Sequence, residues 1–209
     1  VIQPIEKSLV SKSRLTQLEK KDTLQYWYQP VIKQDTFVIA TTLNKKEQEF
    51  KVRLKELKKD SLFLKKESDF SLRTPASFTA STPMEKIDIS FMKLIDRDSL
   101  QVSFAATLDS LKNRVTLDFE RQEEQKYNLT IFPGAVTDFY GSQNPDTLDY
   151  NFTTKKSTSL GNFIITLNGG NSFPVIIQVT NKDLSVEAEL SVNKNGVYDF
   201  LYLNPGDYY

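Results

Sequence analysis

Apolar and polar residues alternate with a period of two along much of this chain, and this pattern constrains its fold more than any other feature. Successive side chains of a β-strand point to opposite faces, so each run predicts a strand with one buried and one solvated face. The apolar positions of these runs are Phe50, Val52 and Leu54; Ile87, Ile89 and Phe91; Leu100, Val102 and Phe104; Val115, Leu117 and Phe119; Tyr127, Leu129 and Ile131; Phe163, Ile165 and Leu167; and Val175, Ile177 and Val179.

The runs are short, and clusters of Asn, Gly, Pro, Asp and Lys separate them. Many short strands at regular spacing are typical of antiparallel β-sandwiches. The predicted fold class is therefore all-β, with tandem antiparallel sandwich domains. No segment has a long helical period, and only residues 108–113 are expected to form a short turn of helix. Asn195-Gly196 predicts a hairpin, because Asn-Gly accepts positive φ at both central positions.

Two joints divide the chain, one near Lys66 and one near Lys156, where a short polar run begins. The predicted domains are therefore residues 1–66, 67–156 and 157–209. The hydrophobic fraction is 39% and the charged fraction 26%, which can support several small cores rather than one large core.

The absence of His and Cys removes most catalytic and metal chemistry. Ser-His-Asp and Cys-His catalysis are excluded, and a zinc site would need carboxylates alone. Lys plus Arg and Asp plus Glu both number 27, so the chain lacks the strong positive field of non-specific nucleic-acid binders. No apolar run is long enough to span a bilayer, and no cleavable signal segment is visible. The sequence predicts a protein that is not an enzyme and that uses no cofactor, metal or nucleic-acid partner.

The middle third carries a specific motif. Residues 78–84 read Phe-Thr-Ala-Ser-Thr-Pro-Met, residues 127–141 contain a strand followed by Pro-Gly-Ala, an Asp and a Gly, and residues 152–154 read Phe-Thr-Thr. This order resembles bacterial Ig-like domains of the S-layer type. The resemblance covers residues 67–156 and implies structural roles for Pro133, Gly134, Asp138 and Gly141.

The backbone and side-chain chemistry of Gly134, Gly141 and Asp138 is consistent with structural roles in turns and loops. Gly134 and Gly141 permit backbone conformations that other residues resist, and Asp138 can cap its loop by accepting from nearby amides. A calcium-binding role is the alternative for Asp138, because carboxylate oxygens are calcium ligands.

The last third carries a second motif. Residues 196–208 fit the pattern G-x-Y-x-F-x-x-L-x-P-G-x-Y, which looks like a hairpin of carboxypeptidase-regulatory-like, prealbumin-type domains. The resemblance implies structural roles for Gly196, Pro205 and Gly206. In that family the Tyr after Pro-Gly begins a further strand, whereas this chain stops at Tyr209. The last domain is therefore expected to be incomplete, and the first to be a partial Ig-like sandwich.

The order Ig-like, Ig-like, prealbumin-like resembles large Ig-like-domain lipoproteins of Gram-negative envelopes. The resemblance implies an extracytoplasmic, outer-membrane-associated protein on the periplasmic or cell-surface face, with a lipid anchor upstream. The expected function is a non-catalytic structural or protein-docking segment, as an accessory subunit of an outer-membrane assembly or export complex. A carbohydrate-binding module and a spacer of a larger exported enzyme are the alternatives. Exposed coplanar aromatic rings favour sugar binding, whereas an apolar patch or an open strand edge favours docking.

Two further patterns have two interpretations each. Alternation places Tyr26 and Tyr28 on one strand face and Trp27 on the other. One face is expected to pack in a core. The opposite face either packs in a core as well or forms a platform for sugar stacking or protein docking. Asp followed by Ser or Thr and then Leu occurs five times and is similar to an O-glycosylation signal of some Gram-negative bacteria. The alternative is turn chemistry, which Asp, Ser and Thr also favour. The candidate hydroxyls are those of Thr23, Ser61, Ser99, Ser110 and Thr147.

Overall fold

The computed structural model describes residues 2–4, 10–18, 23–31, 36–43, 45–53, 61–67 and 70–209. Among these described residues, strands make up 56% and helix 3%, which confirms the all-β prediction. The strands of the described residues are β1 (Ile2–Pro4), β2 (Val10–Gln17), β3 (Leu24–Pro30), β4 (Thr36–Leu43), β5 (Lys46–Arg53), β6 (Leu64–Lys66), β7 (Ala76–Ala80), β8 (Met84–Ile87), β9 (Met92–Asp96), β10 (Ala105–Asp109), β11 (Arg114–Asp118), β12 (Lys126–Ile131), β13 (Val136–Asp138), β14 (Leu148–Thr153), β15 (Gly161–Leu167), β16 (Val175–Thr180), β17 (Val186–Val192) and β18 (Gly196–Leu203).

Two antiparallel sheets form the sandwich in the middle of the chain. One has the strand order β10-β11-β7-β6, and the other has the order β14-β12-β9. Phe78 lies opposite Val115 in the first sheet, and Leu94 lies opposite Leu129 in the second. These four side chains are completely buried in one core to which both sheets contribute. The period-two alternation therefore places its apolar residues between the sheets.

Two of the predicted alternating runs take other conformations. Residues 89–91 form a 3-10 turn rather than a strand, because the side chain of Asp88 caps that turn by accepting from the amide of Ser90. Residues 100–104 run beside β9 with one isolated bridge and a bond from the amide of Val102 to the carbonyl of Leu94. The short helix expected at residues 108–113 is instead the end of β10 followed by a turn. Leu54, the last position of the first run, lies outside the described residues.

One end of the sandwich is closed by buried polar side chains. The side-chain Nδ2 of Asn113 donates to the carbonyls of Ala80 and Thr82, and its Oδ1 accepts from the backbone amide of Met84. Met84 belongs to β8, which pairs with β13 in a separate two-stranded sheet. At the N-terminal side, β6 pairs with β7 and Leu62 is part of the core. Leu62 and β6 therefore belong to the middle sandwich.

The N-terminal part of the chain contains the sheet β1-β4-β5 and the hairpin β2-β3. The hairpin rests on the β8–β13 end of the middle sandwich. The guanidinium of Arg14 donates to the carbonyl of Met84. Lys12 Nζ and Gln29 Nε2 both donate to the carbonyl of Phe139, at 3.0 and 3.2 Å. Lys12 also lies 4.7 Å from the centre of the Phe139 ring, so a cation–π contact adds to the two hydrogen bonds.

The C-terminal part is a smaller pair of two-stranded sheets, β15-β18 and β16-β17. Its buried cluster contains Val179, Ala188, Phe200 and Leu203. No helix among the residues that the structure describes is long and apolar enough to cross a membrane.

Candidate functional site

Two adjacent loops at one end of the middle sandwich expose large apolar side chains. Residues 88–91 connect β8 to β9, and residues 132–135 connect β12 to β13. The amide of Phe132 donates to the carbonyl of Phe91 at 2.9 Å, which holds the loops together. Ile89, Phe91 and Phe132 are 50%, 46% and 40% exposed. Together with the exposed Pro133 they form a surface that we call the apolar end.

Local chemistry explains the shape of the first loop. The Asp88 carboxylate accepts from the Ser90 hydroxyl at 2.6 Å and from the Ser90 amide at 3.1 Å. These two donors hold the pKa of the Asp88 carboxyl below its usual value. The resulting 3-10 turn breaks the alternation of the preceding strand and leaves Ile89 and Phe91 exposed.

The second loop is a tight turn at Pro133-Gly134. The amide of Ala135 donates to the carbonyl of Phe132 at 3.2 Å, and Gly134 has a φ of +84°. Proline at the second position of such a turn and positive φ at the third are the features of a type II turn. A side chain at position 134 has room but meets an unfavourable backbone conformation. The turn therefore needs Gly134 for its φ.

A cavity of about 230 Å³ lies beside the apolar end. Its lining includes Phe91 and Pro133 together with Lys86, Asp88, Thr137 and Gln143. The ammonium of Lys86 and the carboxylate of Asp88 are 4.0 Å apart and exposed. An apolar surface beside charges of both signs suits contact with another protein surface.

Asp138 and Gly141 lie in the loop that follows β13. Asp138 is completely buried, and its carboxylate accepts from the Thr82 hydroxyl and from the amides of Tyr140 and Ser142, at 2.9, 2.9 and 2.7 Å. Gly141 has a φ of +80°, and its amide donates to the carbonyl of Asp138. Within the described ranges no group of three or more acidic side chains is placed to hold a metal ion. The observed bonds give Asp138 the geometry of a loop cap.

The C-terminal motif residues lie far along the chain from the apolar end. Gly196 is the first residue of β18. Pro205 and Gly206 line a cavity of about 380 Å³ together with Asn204 and Tyr208, and the Tyr208 hydroxyl donates to the carbonyl of Asn204.

A cleft of about 390 Å³ lies where the middle sandwich meets the C-terminal sheets. Arg73 Nη1 donates to the carbonyl of Glu187 at 2.8 Å, and Lys155 Nζ donates to Asn204 Oδ1 at 2.9 Å. These two bonds join the walls of the cleft.

The aromatic run on β3 does not form an exposed coplanar platform. Tyr26 and Tyr28 stack on each other with ring centres 6.2 Å apart, and both are half-buried. Burial raises the pKa of the Tyr28 hydroxyl. On the opposite face, Trp27 donates to the hydroxyl of Thr16 at 2.7 Å and its ring meets the edge of Tyr140.

All five candidate O-glycan residues are exposed and lie outside the strands. Two of the triplets also show turn chemistry. Asp109 accepts from the amides of Leu111 and Lys112, both at 3.0 Å. In the triplet that contains Ser99, the backbone amide of Leu100 donates to the carboxylate of Asp96, which precedes the triplet.

Sequence reasoning assigned Ile89 and Phe91 to a buried strand face and did not identify the apolar end. The signal that distinguishes the loop is Asp88 two residues before Ser90, which is typical of a capped turn.

No protein-family model matches the chain. A search of curated proteins found no significant match either.

Proposed function

We propose that this chain is a non-catalytic docking segment of a cell-envelope lipoprotein and an accessory subunit of an outer-membrane assembly or export complex. The observation that carries the docking role is the apolar end, where two bonded loops expose three large apolar side chains of the middle sandwich. Complete burial of a Phe or Ile side chain contributes about 1.5–3 kcal/mol, and each of these three still has 40–50% of its surface to bury, so such a cluster can anchor a protein interface. The envelope location rests on the resemblance of the motifs alone.

The partner is a protein with a mainly apolar, weakly charged surface. The rim of the apolar end carries one cation and one anion, Lys86 and Asp88, and the whole chain has no net charge. A strongly charged partner would therefore gain little from this surface.

Replacing both Phe91 and Phe132 with serine is expected to lower recovery of the partner at least tenfold, because two apolar anchors are lost. The measurement is a quantitative pull-down from detergent-solubilised native envelopes with the full-length protein. Phe63→Ser is the matched control, since Phe63 is 68% exposed in another loop and should leave recovery unchanged. Equal recovery with the double variant and the wild type would contradict the docking role of this surface.

We also propose that Thr23, Ser61, Ser99, Ser110 and Thr147 carry O-linked glycans in the native host. Their exposure outside the strands makes the hydroxyls accessible to a modifying enzyme. Intact-mass measurement of native protein is expected to show added hexose-type mass that is lost stepwise when these residues are replaced by alanine. A mass equal to that of the bare polypeptide would leave the five triplets as turn chemistry only.

A further inference from the structure

Strand β15 is an edge strand without the usual protection against pairing. It pairs with β18 on one side and has no strand partner on the other among the described residues. Its seven residues, Gly161–Leu167, include no charged residue and no proline. Proteins normally protect such edges with charges, prolines or covering segments, because the free N–H and C=O groups can pair with another chain.

The other edge strands of the described residues differ from β15. All except β16 contain a charged residue or a proline. The edge of β16 is engaged at one end, because Thr180 and Tyr209 exchange two backbone hydrogen bonds of 2.9 Å each. β15 is therefore the edge at which a further strand meets the least electrostatic and steric opposition.

Two of the exposed side chains of β15 are large and apolar. Phe163 is 45% exposed and Ile164 is 65% exposed. Phe163 lies on the same face as Ile165, which packs against the buried cluster of this part of the chain. A strand added beside β15 would cover both the free backbone groups and the exposed part of Phe163.

The sequence of β15 is complementary to itself in the antiparallel direction. Pairing two copies about Ile164 places Ile164 opposite its own copy, Phe163 opposite Ile165, and Asn162 opposite Thr166. Residues directly opposite in an antiparallel pair point to the same face, so Phe163, Ile164 and Ile165 each meet an apolar side chain of the other copy, and Leu167 lies opposite Gly161. Aromatic and β-branched cross-strand pairs are favourable, and no like charges face each other.

We propose that a second copy of this chain pairs with β15 about a two-fold axis at Ile164, which joins the two β15-β18 sheets into one four-stranded sheet. The surface involved is separate from the apolar end, so this dimer is independent of the docking role. Two seven-residue strands bury less area than a standard interface, so the dimer is expected to be weak, with a dissociation constant on the order of micromolar.

Sedimentation equilibrium of the 209-residue chain, over about three decades of concentration, tests the dimer. The wild type is expected to shift from monomer to dimer as concentration rises. Ile164→Lys should remain monomeric, because it places two cations directly opposite each other at the axis. Val197→Lys is the matched control. Val197 is 64% exposed and lies on β18, away from the free edge, so this variant should dimerise like the wild type.

A charge-swap experiment separates pairing at β15 from a general effect of the substitution. Ile164→Lys and Ile164→Glu are each expected to be monomeric alone and to associate when mixed, because opposite charges then face each other. Circular dichroism of each variant checks that the fold is retained. A monomeric wild type at the highest concentration, or Ile164→Lys dimerising like the wild type, would overturn the proposal.

Discussion

Replacing Phe78 with alanine is expected to lower the free energy of unfolding of the middle sandwich by about 3–5 kcal/mol, the usual loss for a buried aromatic side chain. Phe78 is completely buried on β7, opposite Val115 and beside Tyr150. The core around it receives side chains from both sheets, so the cavity cannot close by a shift of one loop. Denaturant unfolding followed by far-ultraviolet circular dichroism measures the loss.

Phe63→Ala is the control for this substitution. It removes the same atoms from an exposed position, and the backbone bond between Ser81 and Phe63 is retained. Its effect should stay within about 0.5 kcal/mol of zero. Similar losses for the two variants would mean that Phe78 does not lie in a close-packed core.

Replacing Asp138 with alanine is expected to destabilise the same sandwich by about 3 kcal/mol or more. The change leaves the hydroxyl of Thr82 and the amides of Tyr140 and Ser142 without their acceptor. Thr82 and Asp138 are both inaccessible to water and the two amides are partly buried, and a donor left unpaired away from water costs about 1–3 kcal/mol. Denaturant unfolding gives the total loss.

The same variant should also loosen the β2-β3 hairpin, since Tyr140 contacts Trp27. Trp27 is the only tryptophan of the chain, so its fluorescence reports on that contact. Asp109→Ala is the matched control. Asp109 also accepts from two amides, but it is exposed, and water can replace its carboxylate. An equally small effect for both variants would contradict the capping role of Asp138.

The all-β class could be predicted because burial on one strand face imposes a period of two on the sequence. Val115, Leu117, Leu129 and Ile131 all follow this rule and are completely buried. The rule failed at Ile89 and Phe91, where a side-chain cap redirects the backbone within one residue of a strand. Local capping competes with strand formation, and an apolar pattern alone does not reveal which one prevails.

Polar contacts between residues far apart in the sequence could not be predicted, because the local sequence does not indicate the partner. Asn113 bonds the backbone on both sides of Pro83, about 30 positions earlier in the chain, and nothing in its local sequence indicates those partners. The apolar end also depends on contacts between residues that are far apart in sequence. Its two loops lie side by side because of the register of β12 against β9, which a local sequence pattern does not reveal.

Most hydrogen bonds from the β2-β3 hairpin to the middle sandwich are accepted by main-chain oxygens, those of Met84, Leu111 and Phe139. Side chains add an ion pair between Lys12 and Glu85 and the contacts of Lys12 and Trp27 with aromatic rings. Every amino acid carries a carbonyl, so mutations that preserve the backbone at position 84 keep the acceptor for Arg14 whatever side chain they introduce. These main-chain bonds can therefore survive sequence drift in the middle sandwich, whereas the contacts with Glu85, Phe139 and Tyr140 depend on those side chains. For protein engineering, grafting this hairpin onto another sandwich therefore requires a match of backbone geometry at the accepting carbonyls, together with an acidic side chain and an aromatic ring within reach of Lys12.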